Sequence, residues 1–264
     1  MKLGAQLYSV RNQCKTPEEV RETFGKLKQI GYEVVQLSGI CEVEPEMLKA
    51  FSEEFSLPIT STHKPYKSIV EDTKNLIEYH KIIGSPIIGL GGMPTECRTS
   101  LEGVRNFIKE IKEPIKMIRD AGLSFTYHNH AFEFHTVDGA VIYDVLLEEA
   151  PEMDFIHDVC WSTYAGVDPL KYIDLICRDG RMKDVHLKDL VAAPEDKNAK
   201  EDGKVICPCG KGIVDFKPII ELCDKYGVIN AQVEQDNAPD LGDVFEQMKT
   251  SFDHLCPIIT ASRN

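Results

Sequence analysis

The sequence repeats one pattern eight times, and this repetition constrains the fold more than any other feature. Each round has a short apolar run, a polar turn and a helical stretch. In the first round, Thr16 suits a helix N-cap, Pro17 the first helical position and Gly31 the helix end. Together the rounds predict strands at 3–10, 32–39, 57–63, 85–92, 125–134, 153–161, 182–190 and 228–236. Strands that alternate with helices pair in parallel, so the sequence predicts a (β/α)₈ TIM barrel, an α/β fold with one domain over residues 1–264.

The main competing architecture is a doubly wound open sheet, which usually has fewer rounds and a glycine-rich phosphate turn after its first strand. Here that turn reads YSVRNQCKT, at 8–16, and contains no glycine. The closed barrel is therefore favoured. One long irregular segment, at 191–212, follows the seventh strand, and we expect it to form a loop over the mouth of the barrel.

Charge and cysteine content narrow the class of partners. The chain has 30 Lys and Arg against 43 Asp and Glu, for a net charge of −13, which repels nucleic acid and anionic membrane surfaces. No window approaches the ~20 apolar residues of a membrane helix, and we expect a cytoplasmic protein. The nine cysteines lack paired spacing, so disulfides are not expected, and Cys207 with Cys209 has no second pair to complete a zinc site.

Polar ligand-type residues end several of the predicted strands. The fifth strand, FTYHNHAFEF, stops on four of them within six residues. In a TIM barrel the carboxyl ends of the strands build the active site, so such residues converge. The converging set is His63, His128, Asn129, His130, Glu133, Asp158, His186, Lys188, Glu234 and Asp236. Mixed imidazole and carboxylate ligands suit one divalent cation such as Mn²⁺, Co²⁺, Zn²⁺ or Mg²⁺.

Each of these residues also has a purely structural explanation. His186 suits a hydrogen-bonded core histidine, Asp158 a cap of the following turn, and Trp161 an ordinary core residue. Considered together, however, several carboxylates and imidazoles at consecutive strand ends would bury charge against charge unless a cation neutralised them. The combination therefore predicts a metal site.

Five motifs also carry a resemblance to a known family. QLYSVR, YHNHAFEF, DVCWSTYAGVDP, VHLKD and VEQD, in this order at the strand ends, resemble the sugar phosphate isomerase/epimerase superfamily, the xylose isomerase-like TIM barrels. The resemblance implies one divalent metal held by Glu, Asp, His and Glu from the fifth to eighth strands. Asp158, His186 and Glu234 match this set. The fifth strand departs from it, because many relatives end that strand in Glu-Asn-His: either Glu133 turns back to the metal, or His128 replaces it.

The resemblance further implies a reaction. Isomerases and epimerases of this superfamily use two metal-bound glutamates to remove and return a proton beside a sugar carbonyl, through a metal-stabilised enediolate. In this chain Glu133 and Glu234 would be the catalytic pair and would also be metal ligands. An unphosphorylated sugar or polyol is the expected substrate. Its expected binding residues are His63, His128, His130, Trp161 and Lys188.

Three alternatives remain open at this stage. If the fifth strand supplies no metal-bound glutamate, the same site suits a keto-sugar or keto-inositol dehydratase or lyase. A non-catalytic sugar-binding barrel could use the same histidines, but it gives no reason for opposed carboxylates. An apurinic endonuclease would need several metals and a basic surface, which the acidic composition disfavours. An acidic barrel with a long loop is also compatible with a homodimer.

Overall fold

The computed structural model describes residues 1–196 and 200–262 and confirms the predicted barrel. Its parallel strands are β1 Lys2–Gln6, β2 Val34–Leu37, β3 Ile59–His63, β4 Ile87–Leu90, β5 Ser124–His128, β6 Asp154–Asp158, β7 Met182–Leu187 and β8 Asn230–Val233. They pair in sequence order, and β8 closes the ring by pairing with β1. The carboxyl ends of all eight strands therefore meet at one rim.

Helices cover the outside of this barrel. They are α1 Pro17–Ile30, α2 Pro45–Glu54, α3 Tyr66–Glu71, α4 Thr73–Ile83, α5 Leu101–Asp120, α6 Ile142–Glu149, α7 Val159–Tyr164, α8 Pro169–Arg178, α9 Phe216–Lys225 and α10 Val244–Ser262. The first helix begins and ends as predicted: the Thr16 hydroxyl accepts from the Glu19 N–H, and Gly31 has a φ of 124°. Glycine is required at position 31 for two reasons. Its φ is positive, and a Cβ there would lie 2.4 Å from the Phe252 ring.

Most strands are shorter than the sequence predicts, and some of the differences have a local cause. The first strand ends at Gln6, because the Gln6 side chain accepts from the Tyr8 N–H and starts a 3₁₀ segment, Leu7–Gln13. The helical stretch between β3 and β4 is divided into α3 and α4 at Asp72, whose φ of −135° is not helical. A short helix, α7, begins directly after β6, because the Asp158 carboxylate caps its first turn.

The interior of the barrel is polar, unlike the apolar layer between barrel and helices. Asp184 and Gln232 lie inside it and are joined by a 3.0 Å hydrogen bond from Gln232 Nε2 to Asp184 Oδ2. Gly4 makes room for this pair, because a Cβ there would lie 2.1 Å from Gln232 Oε1. Polar side chains therefore occupy the barrel interior as well as its carboxyl rim.

Residues 197–199 of the segment expected over the mouth of the barrel, 191–212, lie outside the described residues, but Glu201 and Gly203 of the described part line a cavity at this rim. The segment also pairs through Ile206–Cys207 with Asp189–Leu190, the residues just before it. Glu201 fixes it to the turn after β5, since its carboxylate accepts from the N–H groups of Ala131 and Phe132. All nine cysteines are free thiols. Within the described ranges, no helix combines the length and the apolar character needed to cross a membrane.

Candidate metal centre

Four side chains from neighbouring strands converge at the carboxyl rim. His128 ends β5, Asp158 ends β6, His186 lies in β7 and Glu234 follows β8. One ligand atom from each lies within 4.8 Å of the others, and all four residues are buried. A cation bound at about 2.1 Å would hold opposite ligands about 4.2 Å apart. Neighbouring ligands of a tetrahedral ion lie about 3.4 Å apart, and the distances from the two histidine nitrogens to the two carboxylate oxygens are 3.0–3.9 Å, so the set is arranged around one centre.

The charges in this cluster favour a cation. The Lys188 ammonium lies 3.1 Å from Asp158 Oδ2, 2.8 Å from Glu234 Oε2 and 3.0 Å from Asp236 Oδ2. One ammonium thus faces three carboxylates. Burial lowers the pKa of His128, but Asp158 and Glu234 outweigh burial and raise that pKa above its ordinary value. The cluster therefore attracts positive charge, from either a proton or a metal ion.

Neighbouring residues orient the ligands in the manner of a metal site. His186 Nε2 lies 2.7 Å from Gln36 Oε1, which can only accept, so this nitrogen carries the proton. Its Nδ1 lies 3.0 Å from Glu234 Oε2, so a cation bound between the two atoms would accept the Nδ1 lone pair. Glu234 Oε1 accepts in turn from Gln6 Nε2 at 2.8 Å. Such outer hydrogen bonds fix the ring orientation and tautomer of metal-binding histidines.

Burial and charge act in opposite directions on the carboxylates. Burial raises the pKa of Asp158 and that of Glu234, but the Lys188 ammonium outweighs burial and holds both pKa values well below their ordinary range. The Asp158 carboxylate also accepts from the N–H groups of Cys160 and Trp161 through Oδ1, at 2.9 and 3.0 Å. Its other oxygen is left for the cluster. Both carboxylates are therefore ionised and available as ligands.

Glu133 lies outside this cluster. Its carboxylate accepts from the Tyr127 hydroxyl at 2.6 Å and from the His130 N–H at 2.7 Å, and the residue is fully buried. Burial raises the pKa of Glu133 to about 8, so the carboxyl is largely protonated at neutral pH. The structure thus gathers His128, rather than Glu133, with the other three predicted ligands.

The residues expected to bind substrate surround a central cavity of about 350 Å³ above the cluster. Four ring nitrogens of its lining residues are buried and have no hydrogen-bond partner within the described part of the chain: His63 Nε2, His128 Nδ1, His130 Nδ1 and Trp161 Nε1. Such atoms cost free energy unless a ligand satisfies them. The predicted residues that line the cavity are His63, His128, His130, Trp161 and Lys188.

The residues of this region that were not identified from the sequence include Gln6, which donates to Glu234, as well as Gln36 and Glu201. Gln36 holds His186, and its signal was a polar side chain within the otherwise apolar strand VVQL. Glu201 reaches the cavity from the segment over the mouth. No pattern in that irregular segment indicates which residue turns inward.

One protein family matches most of the chain. The family described as "Xylose isomerase-like TIM barrel" matches residues 24–255. No curated protein matches the chain in sequence.

Solved structures with the same fold include several enzymes. A sugar phosphate isomerase/epimerase from Parabacteroides distasonis is 23% identical, with a TM-score of 0.79 over 98% of this chain and 100% of its own. A probable 3-DHS dehydratase from Bacillus anthracis is 15% identical, with a TM-score of 0.74 over 97% and 99%. A D-allulose 3-epimerase from Methylomonas sp. is 12% identical, with a TM-score of 0.71 over 98% of both chains. At these identities the likeness establishes the fold alone.

Proposed function

Because the chain belongs to the xylose isomerase-like TIM barrel family, we propose that it is a divalent-metal-dependent enzyme that removes a proton beside the carbonyl of a sugar or polyol. The metal ligands are His128, Asp158, His186 and Glu234. The observation that carries this proposal is the buried ligand set around a shared centre, beneath a cavity whose polar atoms lack partners.

The chain's own residues supply the remaining chemistry. A divalent cation held at the centre supplies Lewis acidity, which makes the proton beside a carbonyl easier to remove. The ionised Glu234 carboxylate takes that proton. The Lys188 ammonium donates hydrogen bonds to the oxygen where negative charge develops. Neutral His63 and His130, whose pKa values burial holds well below the ordinary value, orient hydroxyl groups.

Among the possible outcomes of this step, the position of Glu133 favours elimination. Epimerisation needs a second base on the opposite face of the substrate, and Glu133 does not line the cavity, because Tyr127 and the His130 N–H hold its carboxylate in the interior. With Glu234 as the single base, the proton leaves one carbon, a carbon–oxygen bond breaks at the next, and the leaving group takes the electron pair. We therefore propose a keto-sugar or keto-inositol dehydratase or lyase.

Isomerisation is the second candidate. A single carboxylate can move a proton between adjacent carbons on one face, and the structures with this fold include enzymes named as sugar isomerases or epimerases. Product mass separates the two reactions. Elimination gives a product lighter by water or by an aglycone, whereas isomerisation conserves mass.

The first test is the metal content of chains purified without chelator. We expect about one divalent ion per chain in the wild type and in Glu133→Gln, and none in His128→Ala or Asp158→Ala. Far-UV circular dichroism verifies that each variant is folded. Loss of metal in Glu133→Gln with retention in His128→Ala would make Glu133 the ligand and restore the two-glutamate mechanism.

The second test addresses the base. In D₂O, wild-type enzyme should exchange the proton beside the carbonyl in a panel of keto-sugars and keto-inositols, and Glu234→Gln loaded with metal should not. Glu133→Gln is the matched control and should still exchange. Exchange by metal-loaded Glu234→Gln would remove Glu234 from the base role.

A further inference from the structure

A second cavity adjoins the central one at the same rim. This outer cavity has a volume of about 870 Å³ and lies between the loop after β2 and helices α3 and α4. Ser38 and His63 line both cavities, so the two spaces share a wall at the substrate-binding residues. A molecule that places one part over the metal centre can therefore extend its other part past His63.

The two volumes suggest a substrate with two parts. Cavities that bind small molecules span roughly 300–1,000 Å³, so the central cavity is at the small end of the range, where one sugar ring fits. The outer cavity is more than twice as large and is formed by a different pair of loops. A single sugar would leave it unused.

The outer cavity has a mixed lining, with an apolar wall, two glutamates at its exposed edge and one lysine. Apolar side chains come from the β2–α2 loop and from helices α2 and α4: Ile40, Val43, Met47, Leu76 and Tyr79. The Lys64 ammonium lies 3.9 Å from the centroid of the Tyr79 ring and forms no ion pair within the described ranges. Burial lowers the pKa of Lys64 to about 8. The amine is thus a half-buried donor whose stabilising neighbour is an aromatic face.

This lining suits one kind of group. Apolar walls beside a tyrosine ring match a flat aromatic ring, and Lys64 matches an oxygen substituent on that ring. A phosphate is disfavoured, because Glu42 and Glu44 also line the exposed edge of the cavity and a single lysine opposes them.

We propose that the outer cavity binds an aromatic group joined to the sugar, so that the substrate is an aryl-linked sugar with its sugar ring in the central cavity. This inference rests on the proposed function, since it assumes that the sugar lies over the metal centre. It identifies the leaving group as an aryl oxygen, which takes the electron pair of the broken carbon–oxygen bond and then a proton, and assigns recognition of the aryl ring to Met47, Tyr79 and Lys64.

The test uses Trp161, the one tryptophan of the sequence, which lines the central cavity and reports binding there by fluorescence. The probes are matched methyl and 4-hydroxyphenyl glycosides of glucose, galactose and xylose, titrated into Mg²⁺-loaded protein. For at least one sugar, the aryl glycoside should bind about tenfold more tightly than the methyl glycoside, because only the aryl ring fills the outer cavity.

Two variants test whether the preference for the aryl glycoside arises in the outer cavity. Met47→Asp should remove most of the aryl preference without changing the Kd of the methyl glycoside, and Lys64→Met should reduce the preference. Leu175→Asp is the control, since Leu175 on α8 is 40% exposed and Met47 is 38% exposed, but Leu175 does not line the cavity.

Equal affinity for aryl and methyl glycosides would overturn the proposal, as would binding of neither or a preference unchanged by Met47→Asp. These results would leave the proposed chemistry intact, because metal content and proton exchange test that chemistry separately.

Discussion

Gln36 fixes the ring of His186 from the side opposite the metal position. Its amide oxygen accepts the Nε2 proton at 2.7 Å and so holds the Nδ1 lone pair toward the other ligands. We expect Gln36→Leu to weaken metal binding about 10- to 100-fold, because His186 loses its fixed tautomer and orientation. Competition with a chromophoric chelator measures the affinity.

Gln36→Glu provides the matched comparison. A carboxylate at this position still accepts the His186 proton, so metal affinity should stay within a few-fold of the wild type. If Gln36→Leu binds metal as tightly as Gln36→Glu, the hydrogen bond has no role in ligation.

Asp184 links stability to pH. Burial raises the pKa of this carboxyl to about 7, although Gln232 and the Val185 N–H donate hydrogen bonds to it. In the unfolded chain its pKa is about 3.9. Between these values the folded state keeps a proton that the unfolded state has lost. The stability from this proton is fully present below pH ~4 and is lost as pH rises through about 7.

Asp184→Asn should flatten this dependence, because an amide stays neutral at every pH. From pH 5 to 8 we expect the variant to gain about 2 kcal/mol relative to wild type. Urea unfolding at several pH values measures the difference. A free-energy difference that stays constant from pH 5 to 8 would mean that Asp184 titrates alike in both states.

The individual site residues also differ in how far the sequence could predict them. Asp158, His186 and Glu234 were predictable as members of a cluster, because they lie at strand ends, where the barrel forces convergence. The choice between His128 and Glu133 was not predictable. It depends on the turn after β5, where the Tyr127 hydroxyl and the His130 N–H hold the Glu133 carboxylate away from the centre.

The Asp189 side chain holds the end of the segment over the barrel mouth, around CPCGKG, by hydrogen bonds. Its carboxylate accepts from the N–H groups of Gly210 at 2.9 Å, Gly212 at 2.9 Å and Val214 at 3.1 Å. Asp189→Ala leaves these donors without a charged acceptor, and we expect a loss of about 2–4 kcal/mol in the free energy of unfolding. Denaturant unfolding with an unchanged m-value measures it.

Asp215→Ala is the control for this prediction. Asp215 is exposed, and its side chain accepts only the Lys217 N–H at the start of α9, a cap worth about 1 kcal/mol. Equal losses in the two variants would mean that the Asp189 hydrogen bonds add nothing beyond an ordinary cap.

Some helices were predictable from the sequence and others were not. Helix α1 was predictable at both ends, because Thr16, Pro17 and Gly31 are local signals. Helix α7 was not, because the residue that caps it, Asp158, was assigned to the end of a strand and to metal binding. Oδ1 of this carboxylate caps the helix, and Oδ2 is left for the proposed metal.

For the whole molecule, the barrel was predictable from the number of strand–helix rounds, and its closure is confirmed. The outer cavity was not predictable. Its lining comes from loops and helix faces far apart in sequence, from Pro17 to Tyr79, and no local pattern relates them. Features fixed by repetition can thus be inferred from the chain, whereas those fixed by loop packing need the structure.

The metal should stabilise the whole barrel. Its proposed ligands join four consecutive strands, β5 to β8, so the ion binds the folded state and not the unfolded chain. A free metal concentration 100 times the Kd adds about 2.7 kcal/mol. For a chain of this size we expect a rise in Tm of about 5–10 °C with saturating Mn²⁺, reversed by a chelator. Scanning calorimetry measures the shift.

Asp158→Ala separates this linkage from a nonspecific ion effect. The variant should start from a lower Tm, because α7 loses its cap, but added Mn²⁺ should leave that Tm unchanged. Glu133→Gln should keep the full shift, because Glu133 is bound to Tyr127 and His130 and not to the cluster. An equal rise in wild type and Asp158→Ala would place the stabilising ion elsewhere, and the four-strand centre would then not be the metal site.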